Sequence, residues 1–248
     1  MRYFVDFAYN GTAFHGSQRQ PNGITVQEVM EDAFSTVLRQ SVSLTFAGRT
    51  DAGVHAEHMV AHFDLSSLSE SVFQLSALGA MVSRLSGLLP WSIAVHDIYP
   101  VSDDLHARFS ALSRTYEYRI TTTKDPFRHN LVTQVAPGLD FEAMNAAART
   151  LLGTHDFASF CKAHTDVKTT VCTVTQAEWK DEVFTITSDR FLRNMVRAVV
   201  GTLFEVGRGK MTVAQFEGVV KQHNRCAAGQ SVPPQGLYLT KIIYPQNK

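Results

Sequence analysis

The feature that most constrains the fold is a change of hydrophobic period between neighbouring segments. In Arg2–Tyr9, apolar residues alternate with polar ones, which is the period-2 pattern of a strand with one buried face. Behind Thr25-Val-Gln-Glu28, which has the spacing of a capping box, apolar residues follow the helical period as far as Leu38. The chain must therefore build a core in which a sheet and helices pack on each other.

The same two periods recur along the rest of the chain. Short alternating or continuous apolar runs predict further strands at Ser43–Ala47, Val54–Phe63, Ser92–Tyr99, Thr115–Ile120, Val171–Trp179, Val183–Ser188 and Leu237–Tyr244. Helical patterns with capping signals predict helices over Val72–Leu88, from the N-cap Asp140 to Gly153, over Arg190–Val206, and behind the second capping box Thr212-Val-Ala-Gln215.

Strands and helices do not alternate in the regular way of a parallel α/β sheet. The order instead predicts an α+β fold of two similar halves, each a mostly antiparallel sheet with helices on one face. We place the division between residues 1–101 and residues 102–248.

Composition excludes several classes of protein. Lys plus Arg and Asp plus Glu number 23 each, and 44% of residues are hydrophobic, so the chain is not disordered. Zero net charge weighs against an RNA partner, although binding depends on the local field and not on the total. The three cysteines are far apart, and we see neither a signal peptide nor a membrane span, so a cytoplasmic protein without membrane contact is expected.

One loop stands out as a candidate site. Ala47-Gly-Arg49-Thr-Asp51-Ala-Gly53 connects two predicted strands, and its glycines permit positive φ and the close approach of a ligand. Asp51 has small neighbours, which would leave its carboxylate accessible. By itself, an Asp in such a loop is more often a turn residue than a catalytic one.

The loop resembles the signature of the tRNA pseudouridine synthase A family. Other blocks resemble that family in the same order along nearly the whole chain. They are Tyr9-Asn-Gly-Thr-Ala-Phe14-His-Gly16-Ser-Gln-Arg19-Gln-Pro-Asn22, His106-Ala-Arg108-Phe-Ser-Ala, Arg114-Thr-Tyr116-Glu-Tyr118, Gly153-Thr-His155-Asp156-Phe-Ala-Ser-Phe160, Phe191-Leu-Arg-Asn-Met195-Val-Arg197, Gly207-Arg208-Gly-Lys210 and Gly236-Leu237.

The resemblance implies an isomerase that makes pseudouridine in the anticodon stem-loop of tRNA, at tRNA positions 38–40. The reaction breaks the C1′–N1 bond of uridine, turns the base and joins it again through C5, so no cofactor and no metal are expected. It also implies a catalytic cleft between the two halves and a homodimer in which one tRNA touches both subunits. Asp51 would be the catalytic carboxylate, and whether it attacks C1′, adds to the base or abstracts a sugar proton stays open.

The resemblance assigns roles to four further residues. Arg197 matches the position that pairs with the catalytic Asp and would keep it ionised. Tyr116 would stack on the flipped base and help to move the proton from C5, and Leu237 would form an apolar wall. Arg49 would fill the space left by the extruded base or hold a phosphate. From spacing alone, Tyr116 is equally well a core tyrosine.

Several cations are candidate contacts to RNA phosphate. On the predicted helix over Arg190–Val206, three arginines fall at i, i+3 and i+7 and form one basic stripe, namely Arg190, Arg193 and Arg197. Such a stripe is also typical of a solvated face. The candidate contacts are Arg19, Arg108, Arg114, Arg193, Arg208 and Lys210.

Two residues depart from the family pattern. Ser17 stands where the family usually has Trp, and Cys172 stands where it often has Arg. We expect both to lie outside the chemical centre.

Three alternatives are less favoured. His55, His58 and His62 could suggest a metal site, but His58 and His62 share a face only on a helix, and the context predicts a strand. A non-catalytic RNA-binding module would bind tRNA without forming pseudouridine. A glycoside-cleaving hydrolase would need two carboxylates and would release free base.

Overall fold

The computed structural model describes residues 1–65, 78–162 and 168–245, and the chain forms two compact units. The first unit comprises Met1–Leu112 with Leu239–Lys248, and the second comprises Ser113–Tyr238. Both contain a mostly antiparallel sheet and helices. This confirms the predicted α+β class.

The first unit is built on four adjacent strands in the order β4-β1-β3-β10. Strand β1 pairs antiparallel with both β3 and β4, and the short β2 pairs with β3. The first two residues of β10 belong to the second unit. The elements are β1 (Arg2–Tyr9), α1 (Val26–Leu38), β2 (Thr45–Phe46), β3 (His55–Asp64), α2 (Leu78–Leu88), β4 (Ile93–Val101) and β10 (Leu237–Ile243).

Helix α1 forms where its capping signal predicts it. The Thr25 hydroxyl accepts a hydrogen bond from the N–H of Glu28 at 3.3 Å, which satisfies one of the unpaired donors of the first turn. The buried face of the helix includes Met30 and Phe34, and the Phe34 ring meets that of Phe63 on β3 edge-on at 5.2 Å. The core of this unit therefore includes α1 and the inner face of β3.

The second unit has the adjacent strands β5-β9-β8-β7, each antiparallel to its neighbour. The short β6 adds a parallel pairing to β5. The elements are β5 (Ser113–Thr121), β6 (Thr133–Gln134), α3 (Phe141–Arg149), β7 (Gly153–Asp156), β8 (Val171–Lys180), β9 (Val183–Ser188), α4 (Met195–Gly207) and α5 (Val213–Gln222).

Helix α4 is the buried centre of the second unit. Eleven of its thirteen residues are buried, and it packs on both α3 and α5. A helix that is apolar on nearly every side is typical of such a position. Helix α5 begins with the predicted capping box, in which both the bond to the Thr212 hydroxyl and the return bond from the Gln215 side chain are present.

Several predicted bounds are corrected. Helix α3 ends at Arg149 and not at Gly153, which has φ +97° and opens β7. Helix α4 begins at Met195 and not at Arg190, because Asn194 has the left-handed φ of 66°, which a right-handed helix cannot contain. The strand predicted over 43–47 is limited to Thr45–Phe46. Of the helix predicted over 72–88, residues 78–88 are helical and 72–77 lie outside the described residues.

The segment after β4, up to Leu112, stays within the first unit. The N–H of Ala107 donates to His62 Nδ1 at 3.2 Å, and the Tyr244 hydroxyl donates to the Ala107 carbonyl at 2.6 Å. The N–H of Leu112 donates to the Ile243 carbonyl at 2.7 Å. These bonds explain why the units divide at Leu112, whereas the sequence prediction placed the division at 101/102.

His62 makes the stability of this arrangement depend on pH. Burial, and then the nearby Arg2 charge, lower the pKa of His62 to about 4. Below its ordinary pKa of about 6.5 the unfolded chain binds a proton that the folded protein does not. The free energy of unfolding should therefore fall by about 2 kcal/mol as the pH falls from 6.5 to 4.

Chemical denaturation across this pH range measures the effect. In His62→Gln, whose amide oxygen can accept from Ala107, we expect a smaller loss of stability over the same range. The exposed His96 on β4 provides the control, since His96→Gln should keep the wild-type slope. Equal slopes in the wild type and His62→Gln would contradict the assignment.

For two glycines in helices of the second unit, replacement by alanine is expected to have opposite effects on stability. A Cβ at Gly201 would lie 1.8 Å from the Gln230 carbonyl oxygen, whereas a Cβ at Gly218 would meet nothing within 4 Å. Gly201→Ala should destabilise the protein by about 2 kcal/mol or more, because backbone must move. Gly218→Ala should stabilise it by about 0.5–1 kcal/mol through helix propensity. Thermal denaturation of both variants tests the close approach at Gly201.

Candidate functional site

The Asp51 loop joins β2 to β3 in the first unit. Its turn is closed by the N–H of Val54, which donates to the Asp51 carbonyl at 3.2 Å, and Gly53 takes the positive φ of 77°. The Asp51 side chain is half-buried and Arg49 is exposed. The loop therefore carries the Asp51 side chain on a tight turn between two strands.

Thr50, directly before Asp51, is fixed by three hydrogen bonds. Its N–H donates to the Ser17 hydroxyl at 2.8 Å, and its carbonyl accepts from the Ser17 N–H at 3.2 Å. Its hydroxyl lies 2.8 Å from the Tyr9 hydroxyl. The Ser17 side chain therefore contacts the residue next to the candidate catalytic carboxylate. That Ser17 lies outside the chemical centre itself stays a prediction.

The start of helix α1 holds the Ser17 segment in turn. The N–H of Val26 donates to the Gly16 carbonyl at 3.3 Å, and that of Gln27 donates to the Ser17 carbonyl at 3.0 Å. These are N–H groups of the first turn, which have no partner within the helix. Gly16 has φ +94°, and a Cβ there would lie 2.9 Å from the Thr50 carbonyl oxygen. Only glycine allows this approach without displacing the loop.

Arg197 lies in the first turn of α4 in the second unit. Its Nε–H donates to the Val232 carbonyl at 2.8 Å, and its own carbonyl accepts from the Val232 N–H at 3.1 Å. This reciprocal pair fixes the segment that runs from Val232 to Leu237. Leu237 follows as the first residue of β10 and is 6% exposed.

Tyr118 holds the same segment from β5. Its hydroxyl donates to the Pro233 carbonyl at 2.9 Å and lies 2.6 Å from the Thr133 hydroxyl. Burial raises the pKa of Tyr118 well above its ordinary value, so the phenol stays protonated and remains a donor. No local sequence pattern indicates this role of Tyr118, because its partners Thr133 and Pro233 lie far along the chain.

Tyr116 is two residues earlier on the same strand. It is buried, and its ring meets that of Phe191 edge-on, with centroids 5.0 Å apart and an interplanar angle of 84°. Tyr116, Arg197 and Leu237 therefore all belong to the second unit, whereas Asp51 and Arg49 belong to the first.

The predicted basic stripe is wrong. Arg190 and Arg193 precede α4, and the left-handed Asn194 separates them from Arg197. The exposed Arg193 instead lies in a loop, where its carbonyl accepts from the N–H of Lys162 at 3.0 Å.

The candidate phosphate contacts of the first unit are exposed. Arg19 lies 3.6 Å from a carboxylate oxygen of Glu31 and 3.7 Å from one of Asp32. Arg49 and Arg108 are exposed as well. The two acidic neighbours lower the positive field at Arg19.

The candidates of the second unit also have partners. Arg208 and Lys210 share Glu205, at 3.0 Å and 3.8 Å, and Arg114 donates to the Asp189 carbonyl at 3.1 Å. Arg208 and Lys210 together outweigh the single carboxylate. Two cations and one carboxylate therefore lie together at the end of α4.

The three histidines of β3 accept backbone hydrogen bonds. His55 accepts from Gly11 at 3.1 Å, His62 accepts from Ala107, and His58 accepts from Ile242 at 3.2 Å. All three histidines lie on β3, which confirms the strand predicted for this segment. In residues 1–65, 78–162 and 168–245, no group of three or more His, Cys, Asp or Glu could hold a metal.

The second departure from the family pattern, Cys172, lies on β8 and is 1% exposed. Burial raises the pKa of its thiol to about 12, so it is an uncharged core residue. Within the part of the chain that the structure describes, no helix has the length and apolar character needed to cross a membrane.

Comparisons with known proteins agree with the resemblance seen in the sequence. A family model described as tRNA pseudouridine synthase matches residues 147–245. A tRNA pseudouridine synthase A of Parabacteroides distasonis is 51% identical over 99% of this chain and 96% of its own length. Those of Bacteroides thetaiotaomicron and Exiguobacterium sibiricum are 51% and 36% identical, over 99% and 100% of this chain and 91% and 98% of their own lengths. The chain belongs to the tRNA pseudouridine synthase A family.

Proposed function

We propose that this protein isomerises uridine to pseudouridine in the anticodon stem-loop of tRNA, with Asp51 as the catalytic carboxylate. Family membership makes it a tRNA pseudouridine synthase, which is an isomerase. The observation that supports the role of Asp51 is the fixed backbone of its loop, in which Thr50 bonds to Ser17 and Tyr9. A residue held in this way loses little freedom when the substrate binds.

The chemistry needs one carboxylate and no redox partner. Cleavage of the C1′–N1 bond develops positive charge on the ribose, which an ionised Asp51 can stabilise or attack. After the base turns, C5 bonds to C1′, the proton leaves C5 and N1 gains a proton. Atoms and electrons balance without a cofactor.

Arg197 would keep Asp51 ionised in a site from which water is excluded. Desolvation favours the neutral form of a carboxyl group, and a guanidinium nearby reverses this preference. An arginine side chain has five N–H donors, and the Nε–H of Arg197 goes to Val232 at 2.8 Å, which fixes the orientation of the guanidinium plane. A guanidinium whose orientation is fixed can pair with a carboxylate in one defined geometry.

Binding of the stem-loop would require the target base to leave its stack. Arg49, exposed two residues before Asp51, would occupy the vacated space or hold a phosphate. Leu237 would form an apolar wall for the base. The RNA backbone would be bound by the candidate phosphate contacts Arg19, Arg108, Arg114, Arg193, Arg208 and Lys210.

The predicted assembly completes this proposal. The site would lie in a cleft between the two halves of the chain, with a positive local field despite zero net charge. The protein would act in the cytoplasm as a homodimer that binds one tRNA across both subunits.

Release of tritium from tRNA labelled at uridine C5 tests the role of Asp51. Asp51→Ala and the isosteric Asp51→Asn should each lower the rate by about 10³-fold or more, because a neutral group cannot stabilise or attack the developing cation. Asp104→Asn, which changes an exposed carboxylate of the same unit, should leave the rate unchanged. Full activity in Asp51→Ala would overturn the assignment.

The same assay tests the position of the target. A tRNA whose uridines at positions 38–40 are replaced by cytidine should release no tritium from its remaining uridines. Mass spectrometry of the product should show an unchanged RNA mass, whereas a hydrolase would lower the mass by removing base. Persistent release from the replaced tRNA would contradict the anticodon stem-loop as the target.

Tyr116→Phe separates the two proposed functions of the tyrosine. The variant keeps the ring that stacks on the base and its contact with Phe191, but it loses the hydroxyl that would move the C5 proton. We expect tRNA affinity within twofold of wild type and tritium release about 10²-fold slower, a typical contribution of acid–base catalysis. An unchanged rate would limit Tyr116 to stacking.

A further inference from the structure

We propose that Ser17 is a positioning residue, whose hydroxyl fixes the backbone before Asp51 so that the carboxylate keeps its reactive orientation. The proposal rests on the proposed function, since it requires Asp51 to be catalytic. Ser17 does not touch the reacting atoms in this scheme. It acts through Thr50.

The geometry of the contact is specific. The Ser17 hydroxyl accepts from the N–H of Thr50 at 2.8 Å, and the Ser17 N–H donates to the Thr50 carbonyl at 3.2 Å. The N–H of Thr50 belongs to the peptide plane before this residue, and its carbonyl belongs to the plane that leads to Asp51. Both planes on either side of Thr50 are thereby fixed, and with them the position of the Asp51 Cα. The N–H of Val54 donates to the Asp51 carbonyl at 3.2 Å and restrains the plane after Asp51, so the direction in which its side chain leaves the backbone is limited from both sides.

Burial makes the side-chain half of this contact hard to replace. Ser17 is 0% exposed, and Thr50 is 8% exposed. A buried N–H without an acceptor is costly, so removal of the hydroxyl would drive the Thr50 backbone towards another partner. The backbone half of the contact would survive such a change, so the loop would shift and not unfold.

Ser17 is itself held in place by hydrogen bonds from the first turn of α1. Its carbonyl accepts from the N–H of Gln27 in the first turn of α1 at 3.0 Å, and the preceding Gly16 carbonyl accepts from Val26 at 3.3 Å. Tyr9 on β1 holds the Thr50 hydroxyl from another direction. A continuous set of hydrogen bonds therefore leads from a helix and a strand of the core to the backbone beside Asp51.

This arrangement affects the chemical step more than binding. Displacement of a catalytic group by about 1 Å can lower a rate by about 10²-fold. Ser17 is buried and offers no surface to RNA, so its removal should leave tRNA affinity intact. We expect Ser17→Ala to lower the single-turnover rate constant about tenfold, with the Kd for tRNA within twofold of wild type.

Two further variants separate positioning from stability. Ser17→Thr keeps the accepting hydroxyl but adds a methyl group to a filled site, so it should lower Tm and yet restore the rate to within threefold of wild type. Ser159→Ala is the matched control in the second unit. Ser159 is also 0% exposed, and its hydroxyl accepts from the N–H of Asn224 at 2.9 Å and donates to the Val219 carbonyl at 2.6 Å. It should lower Tm without slowing the reaction.

The measurements are single-turnover tritium release at saturating enzyme, filter binding of the same tRNA, and thermal denaturation. The proposal is supported if Ser17→Ala releases tritium slowly while Ser17→Thr and Ser159→Ala release it at nearly the wild-type rate. An unchanged rate in Ser17→Ala overturns it, as does a loss of rate that follows Tm across all three variants. If the wild type released no tritium, the proposed function would fail, and the role of Ser17 with it.

Discussion

The site depends on one elementary requirement, which is that buried peptide groups must find hydrogen-bond partners. Thr50 is buried in a loop without a ladder of its own, and Ser17 supplies both the acceptor and the donor that its two peptide planes need. Because the Ser17 segment also satisfies N–H groups in the first turn of α1, the helix and the Asp51 loop are fixed by the same few bonds. Local secondary structure thereby determines the position of a loop carboxylate.

The second unit also contains two residues that exchange a pair of hydrogen bonds, here with an arginine side chain as the donor. Arg197 and Val232 bond to each other in both directions, and Tyr118 adds a phenol that burial keeps protonated. In both units a residue on or beside a helix start exchanges two hydrogen bonds with a distant segment that carries a candidate site residue. Such pairs restrict orientation as well as distance, which is what a reacting group requires.

Much of the fold could be predicted because its signals are local. Alternation placed β1 and β3, and capping boxes placed the starts of α1 and α5. Periodicity does not reveal the left-handed Asn194, so the sequence predicts a helix that begins at Arg190, five residues before the observed start of α4. The contact between Ser17 and Thr50 joins residues 33 apart, and no local pattern encodes such a pairing. The roles of Asp51, Tyr116 and Arg197 come from the family resemblance and stay predictions.

The support of the Ser17 segment has a consequence for how this loop can vary. The fixed points are Gly16 and Ser17 at one end and Val26 and Gln27 at the other, whereas residues 18–22 between them are exposed. The backbone bonds of Gly16 and Ser17 to Val26 and Gln27 do not involve the side chains of that exposed stretch. Homologous proteins could therefore exchange or lengthen residues 18–22 to suit different RNA surfaces. The backbone bonds that hold the Asp51 loop would stay the same.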